Sequence, residues 1–100
     1  MSCEVRRAAR DLSASQEGIV AARSAERAAA EQLRAERIRL EYGESTPFDV
    51  LQREEDLVDR ENELIGAFQA YRTSAVALDR AQGTILRNRN IQISEVRKLR

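Results

Sequence analysis

The sequence predicts an all-α fold: a long antiparallel two-helix coiled-coil hairpin with a short irregular C-terminal tail. Charged residues make up 34% of the 100-residue chain and aromatic residues only 4%, a composition typical of long helices. Apolar residues recur at every seventh position on both sides of a single tight turn. Side chains bulky enough to fill a compact core are scarce, which favours an elongated shape.

The first long helix is expected over residues 4–42, a stretch without proline. Counting by sevens from Val5 gives a row of mostly large side chains, and the row three residues further on holds mostly small ones. The large row is Val5, Leu12, Ile19, Glu26, Leu33 and Leu40, and the small row is Ala8, Ser15, Ala22, Ala29 and Glu36. This is the spacing of a coiled-coil seam, with two glutamates interrupting it.

A tip turn is expected over residues 43–46. Gly43 suits the left-handed position that follows a helix. Thr46 is a good N-cap, Pro47 fits the first helical position, and Asp49 completes a capping-box pattern. A connection this short brings the second helix back antiparallel to the first.

The second long helix is expected over residues 47–82, with an unbroken packing seam made of Val50, Leu57, Leu64, Tyr71 and Leu78. Further apolar residues beside this seam (Leu51, Val58, Ile65, Phe68 and Ala75) make the stripe too wide for one partner helix to cover. This helix therefore needs at least two neighbours. Gly83 is expected to end it, leaving an irregular or extended tail over residues 83–100, with a strand-like alternation at residues 91–93.

Charge and composition exclude several classes of function. The 17 basic and 17 acidic residues cancel, so no nucleic-acid partner is expected. The chain has no histidine and one cysteine, Cys3, so we expect no metal site, no cofactor and no catalytic residue, and hence no enzyme. No signal peptide and no membrane span are visible in the chain.

Two charged groups face each other in the predicted hairpin. Acidic residues concentrate in the first half of the second helix (Asp49, Glu54, Glu55, Asp56, Asp59, Glu61 and Glu63) and are expected to form a solvated face. Arg34, Arg37 and Arg39 lie opposite them, near the end of the first helix. We expect these arginines to pair with the acidic helix across the hairpin.

Residues 42–52, which read Tyr-Gly-Glu-Ser-Thr-Pro-Phe-Asp-Val-Leu-Gln, resemble the closing hairpin of TolC-family outer-membrane efflux proteins. That family shows a Gly-x-Ser/Thr tip, then an Asp-Val-Leu-like start to the returning helix. Leu57, Tyr71, Ala75, Leu78 and the run Ala-Gln-Gly-Thr at 81–84 continue the resemblance, which covers roughly residues 4 to 90.

The resemblance implies a fragment of an efflux channel that carries small molecules out of the cell. Such channels are homotrimers whose hairpins form a periplasmic tunnel, and the membrane is reached only through parts that this chain lacks. The tip, Gly43, Glu44 and Ser45, would dock onto a periplasmic adaptor protein. Asp49 matches an acidic position that lines the entrance in some members, whereas Gln52 departs from a second acid one turn later.

Two alternative functions fit the same pattern. One is a soluble coiled-coil interaction module that dimerises into a helical bundle. The other is the hairpin of a periplasmic adaptor protein, which has a similar shape, although no lipoyl-like or barrel-like flanks are visible. Neighbouring coding sequence for amphipathic strands and another hairpin would favour the channel.

Overall fold

The computed structural model describes residues 2–98, including the side chains of residues 2–84, 86, 87 and 90. It contains two helices, α1 (Cys3–Glu41) and α2 (Pro47–Lys98), which pack against each other along one antiparallel hairpin. No strand occurs among the described residues. The hairpin measures 87 × 15 × 14 Å, so the predicted elongated all-α fold is confirmed.

α1 begins with a side-chain cap and presents one continuous seam to α2. The Ser2 hydroxyl oxygen accepts a hydrogen bond from the Val5 amide at 3.3 Å, which satisfies one of the free amides of the first turn. Further along, the seam residues of both heptad rows are buried or half-buried, and Ala8, Ala29 and Leu33 are among the buried ones. Small side chains in the second row let α2 approach closely.

The turn between the helices is closed by backbone hydrogen bonds. Gly43 has φ +72°, a conformation that side chains other than glycine rarely adopt. Its amide donates to the Leu40 carbonyl at 3.0 Å, and the Glu44 amide donates to the Arg39 carbonyl at 2.8 Å. This pair of bonds is a Schellman motif, which satisfies carbonyls at the end of α1.

α2 begins immediately after the turn. The Thr46 hydroxyl oxygen accepts a hydrogen bond from the Asp49 amide at 3.1 Å, as an N-cap does. The α2 residues that face α1 start with Val50, which is buried, and continue with four half-buried side chains, Leu57, Leu64, Tyr71 and Leu78. Because each helix meets only one neighbour, few side chains are fully enclosed.

α2 does not end at Gln82, which corrects the expectation of an irregular tail for residues 83–98. These residues, including the strand-like stretch at 91–93, continue the helix to Lys98. Gly83 is not among the glycines with positive φ, and one glycine inside a helix costs only about 1 kcal/mol. No proline follows it to stop the helix. Residues 99 and 100 lie outside the described part of the chain.

The two helices differ in length, so α2 continues past α1. Glu4 and Ala8 line one groove together with Ala81 and Thr84, which places the first turns of α1 opposite this part of α2. From Thr84, α2 runs on to Lys98, which is about four turns. Within the described residues, neither helix has a segment apolar enough to span a membrane.

Candidate functional site

The tip of the hairpin presents polar backbone and side chains to solvent. Gly43, Glu44 and Asp49 are exposed, whereas Ser45 is half-buried. The Ser45 hydroxyl oxygen is shielded from solvent and finds no hydrogen-bond partner among the residues that the structure describes. The Asp49 amide is used in the cap of α2, which leaves its carboxylate at the exposed entry to that helix.

Two aromatic side chains flank the tip, and sequence reasoning did not assign them to it. Tyr42 is 77% exposed and Phe48 is 65% exposed. They are two of the four aromatic residues of the chain, and they stand on either side of the five residues 43–47. That position was the signal available in the sequence. Exposed aromatic residues at a protrusion are typical anchors of protein–protein contacts.

A second exposed apolar feature runs along α2. Leu51, Val58 and Ile65, called the outer row below, are spaced by sevens and are 49%, 54% and 55% exposed. Phe68, one turn further on, is 43% exposed, and the Arg23 guanidinium lies over its ring at 5.7 Å from the centroid. The outer row therefore lies beside the seam, where α1 leaves it uncovered.

Charged residues of opposite sign lie on the same side of the hairpin as the outer row. On α2, a groove is lined by Leu51 and Val58 together with three acids, Glu54, Glu55 and Asp59. On α1, Arg23 and Arg27 line a groove with Ile65 and Glu61 of α2. The outer row thus has an acidic border on its own helix, and beside it lie Arg23 and Arg27 of α1, with Glu26 in the same groove.

Of the three arginines expected to pair across the hairpin, the structure pairs one. Arg37 lies 3.6 Å from Glu54 of α2. Arg34 instead pairs with Glu31, and Arg39 pairs with Glu36, both at 3.1 Å within α1. The expectation was wrong for these two because an acid three residues earlier on the same helix is already within reach.

The hydrogen bond and the negative charge of Glu31 raise the pKa of the Arg34 guanidinium above its ordinary value. This interaction lies on the solvent-exposed surface of α1. Arg34 therefore stays positively charged on the basic side of the hairpin.

A buried carboxylate lies in the seam itself. Glu36 is 7% exposed, and its oxygens lie 3.1 Å from the Arg39 guanidinium and 3.6 Å from that of Arg53. Arg53 also donates a hydrogen bond to the Gln32 side-chain oxygen at 3.1 Å. The charge that interrupts the predicted heptad is thus paired with arginines from both helices.

The described residues contain no group of three or more side chains suited to hold a metal ion. The groove beside Leu51, which three acids line, is shallow and open to solvent, as is the groove that Arg23 and Arg27 line. Comparison of the chain with known protein families, curated proteins and solved structures finds no match. Among the described residues, the tip and the outer row are the candidate functional surfaces.

Proposed function

We propose that this hairpin is a wall segment of a larger helical export duct, of the kind that the resemblance to TolC-family proteins implies. The observation that carries the proposal is the outer row. Leu51, Val58 and Ile65 stay about half exposed, although their spacing is that of a helix-packing seam. A seam without a partner in its own chain is a surface for further helices.

In this proposal the hairpin contributes shape and no chemistry. The hairpin, which is 87 Å long, would form one lengthwise segment of a tunnel wall. In that wall α1 and the neighbouring hairpins would cover α2 from two sides. The full assembly is a homotrimer built from longer chains in the periplasm, and the membrane is reached through other parts of those chains. Small molecules would pass along the axis of the assembly.

The tip is proposed as the docking point for a periplasmic adaptor protein. Gly43, Glu44 and Ser45 form the turn, and the exposed Tyr42 and Phe48 on either side of it supply apolar contact area. Aromatic anchors carry much of the binding energy in protein interfaces. The exposed Asp49 would lie just inside the entrance, where an acid favours the passage of cations.

A photo-crosslinking amino acid at Tyr42 or at Phe48 tests the docking proposal in the cells that make the protein. We expect each position to capture a periplasmic adaptor of a tripartite pump. A crosslinker at Arg10, on the exposed surface of α1 and far from the tip, is the control and should capture none. An envelope-located protein that gives no adaptor adduct from either tip position contradicts the proposal.

One observation favours a second function, a soluble module that dimerises into a helical bundle. The acidic border of the outer row and the arginines of α1 share one side of the hairpin, which suits association with a similar molecule. Cell fractionation separates the two functions. A protein found only in the soluble cytoplasmic fraction is the module, whereas the duct segment belongs to the cell envelope.

A further inference from the structure

The outer row raises the question of which surface covers it. Leu51, Val58 and Ile65 form a straight apolar line on one side of α2, bordered by Glu54, Glu55, Asp59 and Glu61. An apolar helix with the same acidic borders is a poor partner, because like charges would be brought together as the apolar rows met. A partner with apolar or long aliphatic side chains and positive charge is required.

On the same side of the molecule, α1 of the same hairpin carries four arginines, together with Glu26 in the groove of Arg23 and Arg27 and with Glu31, which pairs with Arg34. Arg23 lies over Phe68, Arg37 pairs with Glu54, and Arg27 shares a groove with Ile65. Arg34 follows Arg27 by seven residues and so lies in the same row. These four arginines, Arg23, Arg27, Arg34 and Arg37, are called the basic face below.

The antiparallel register places the two surfaces at the same level along the hairpin. The Arg37–Glu54 pair fixes the level near the tip, and the Arg23–Phe68 contact fixes it farther from the tip. The basic face, Val58 and Ile65 lie within these levels, and Leu51 lies about one turn nearer the tip. A rotation about an axis parallel to the hairpin leaves every residue at the same height along that axis. The outer row of one copy therefore meets the basic face of the other without any shift along the axis.

We propose that a second copy of this chain packs on this side through a two-fold axis parallel to the long axis, with both tips at the same end. The outer row of each copy then lies on the basic face of the other, and the two contacts are identical. The aliphatic stems of the arginines cover the outer row while the guanidinium groups reach its acidic borders. The inference deepens the second function, the dimerising helical module, because a two-fold contact through the outer row leaves that row unavailable to the neighbouring hairpins of a homotrimeric duct.

The opposite orientation, with tips at opposite ends, is disfavoured by charge. A two-fold axis across the hairpin lays α2 of one copy on α2 of the other. With the two outer rows overlaid about Val58, the acids that border one row would lie beside the acids that border the other, for example Glu54 and Glu55 near Glu61. Repulsion between like charges at such a contact opposes association, so charge selects the orientation with parallel tips.

Charge reversal tests the contact directly. One variant reverses the acidic border (Glu55→Arg with Asp59→Arg) and the other reverses the basic face (Arg27→Glu with Arg34→Glu). By sedimentation equilibrium we expect each variant alone to dimerise about tenfold or more weaker than the natural chain. An equimolar mixture should recover the dimer, because both contacts of the mixed pair become complementary.

The controls separate this contact from a general charge effect. Arg7→Glu with Arg10→Glu makes the same change in net charge at the far end of α1 and should leave dimerisation unchanged. Circular dichroism checks that each variant is helical. If the basic-face variant dimerises as well as the natural chain, α2 does not pack on α1 of the second copy, and the inference is overturned.

A spin label on Cys3, which is exposed, reports the orientation in the dimer of the natural sequence. Parallel tips bring the two labels to one end, within roughly 30 Å, whereas opposed tips separate them by more than about 60 Å, since α1 alone is nearly this long. Pulsed electron paramagnetic resonance measures the difference. The long distance, or a chain that stays monomeric, overturns the inference, while adaptor crosslinking from the tip tests the proposed function independently.

Discussion

Replacement of the buried seam glutamate by leucine, Glu36→Leu, should stabilise the hairpin. Glu36 occupies a heptad position where a coiled coil normally places an apolar side chain, and it is only 7% exposed. A leucine of similar length inherits this enclosed position between α1 and α2. Replacing a buried charge by an apolar side chain also removes the free-energy cost of desolvating that charge, so such a replacement is often neutral or stabilising.

The magnitude follows from two opposing contributions. Burial of a leucine side chain is worth about 1.5–3 kcal/mol. The ion pairs that are lost involve Arg39 and Arg53, whose side chains are 57% and 44% exposed. Each pair with a partner this exposed contributes at most about 1 kcal/mol, so the two together contribute at most about 2 kcal/mol. The free energy of unfolding should therefore rise, by about 1 kcal/mol.

Thermal and urea unfolding followed by circular dichroism measures the change. For a chain of this size the midpoint should rise by roughly 4–8 °C per kcal/mol. Association also raises the apparent stability, so natural and variant chains are compared over one concentration series. Arg53→Ala leaves the buried carboxylate with one partner fewer and should lower the stability. A Glu36→Leu chain that unfolds more easily than the natural one by more than about 1 kcal/mol refutes the reasoning.

Further substitutions test other parts of the hairpin. Gly43→Ala should lower the free energy of unfolding by about 1 kcal/mol, because φ +72° strains any side chain. Gly83→Ala should raise it by about 0.5–1 kcal/mol, since a methyl group there meets nothing within 4 Å and alanine favours helix. Urea unfolding measures both changes. Thr46→Ala removes the cap of α2 and should lower the free energy of unfolding by about 1 kcal/mol. Thr46→Ser keeps the capping hydroxyl and should leave the free energy of unfolding nearly unchanged. Val58→Glu should abolish self-association in sedimentation experiments, and Val76→Glu, a change at another 44% exposed position, should not.

The turn could be predicted from the sequence because its chemistry is local. A glycine that ends one helix and a Thr-Pro pair that starts the next act within six residues, and each cue depends only on its own backbone position. The heptad rows could likewise be predicted from the sequence. Their burial in the structure follows from the same spacing, because two straight helices touch only along such rows.

The predicted end of α2 at Gln82 was wrong because Gly83 alone does not stop a helix. Gly43 ends α1 in company with Ser45, Thr46 and Pro47, all of which favour the turn, whereas Gly83 is followed by Thr84, Ile85 and Leu86. A lone glycine lowers helix propensity without supplying a stop signal. The helix therefore continues through it to Lys98.

The charged contacts were predictable in kind but not in detail. Arg34 and Arg39 have acidic neighbours both on their own helix and across the hairpin, and sequence alone does not rank these partners. The exposure of Tyr42 and Phe48 depended on which way the first and last turns of the helices point at the tip. The width of the apolar stripe on α2 was visible, but the position of its uncovered part required the register with α1.

Sedimentation velocity of the purified natural chain tests most directly the claim that the outer row of α2 needs a neighbour. At rising protein concentration, and at moderate salt, the account predicts that the weight-average sedimentation coefficient climbs from that of an elongated monomer toward that of a larger species. A coefficient that remains that of a monomer up to millimolar concentration would contradict the account.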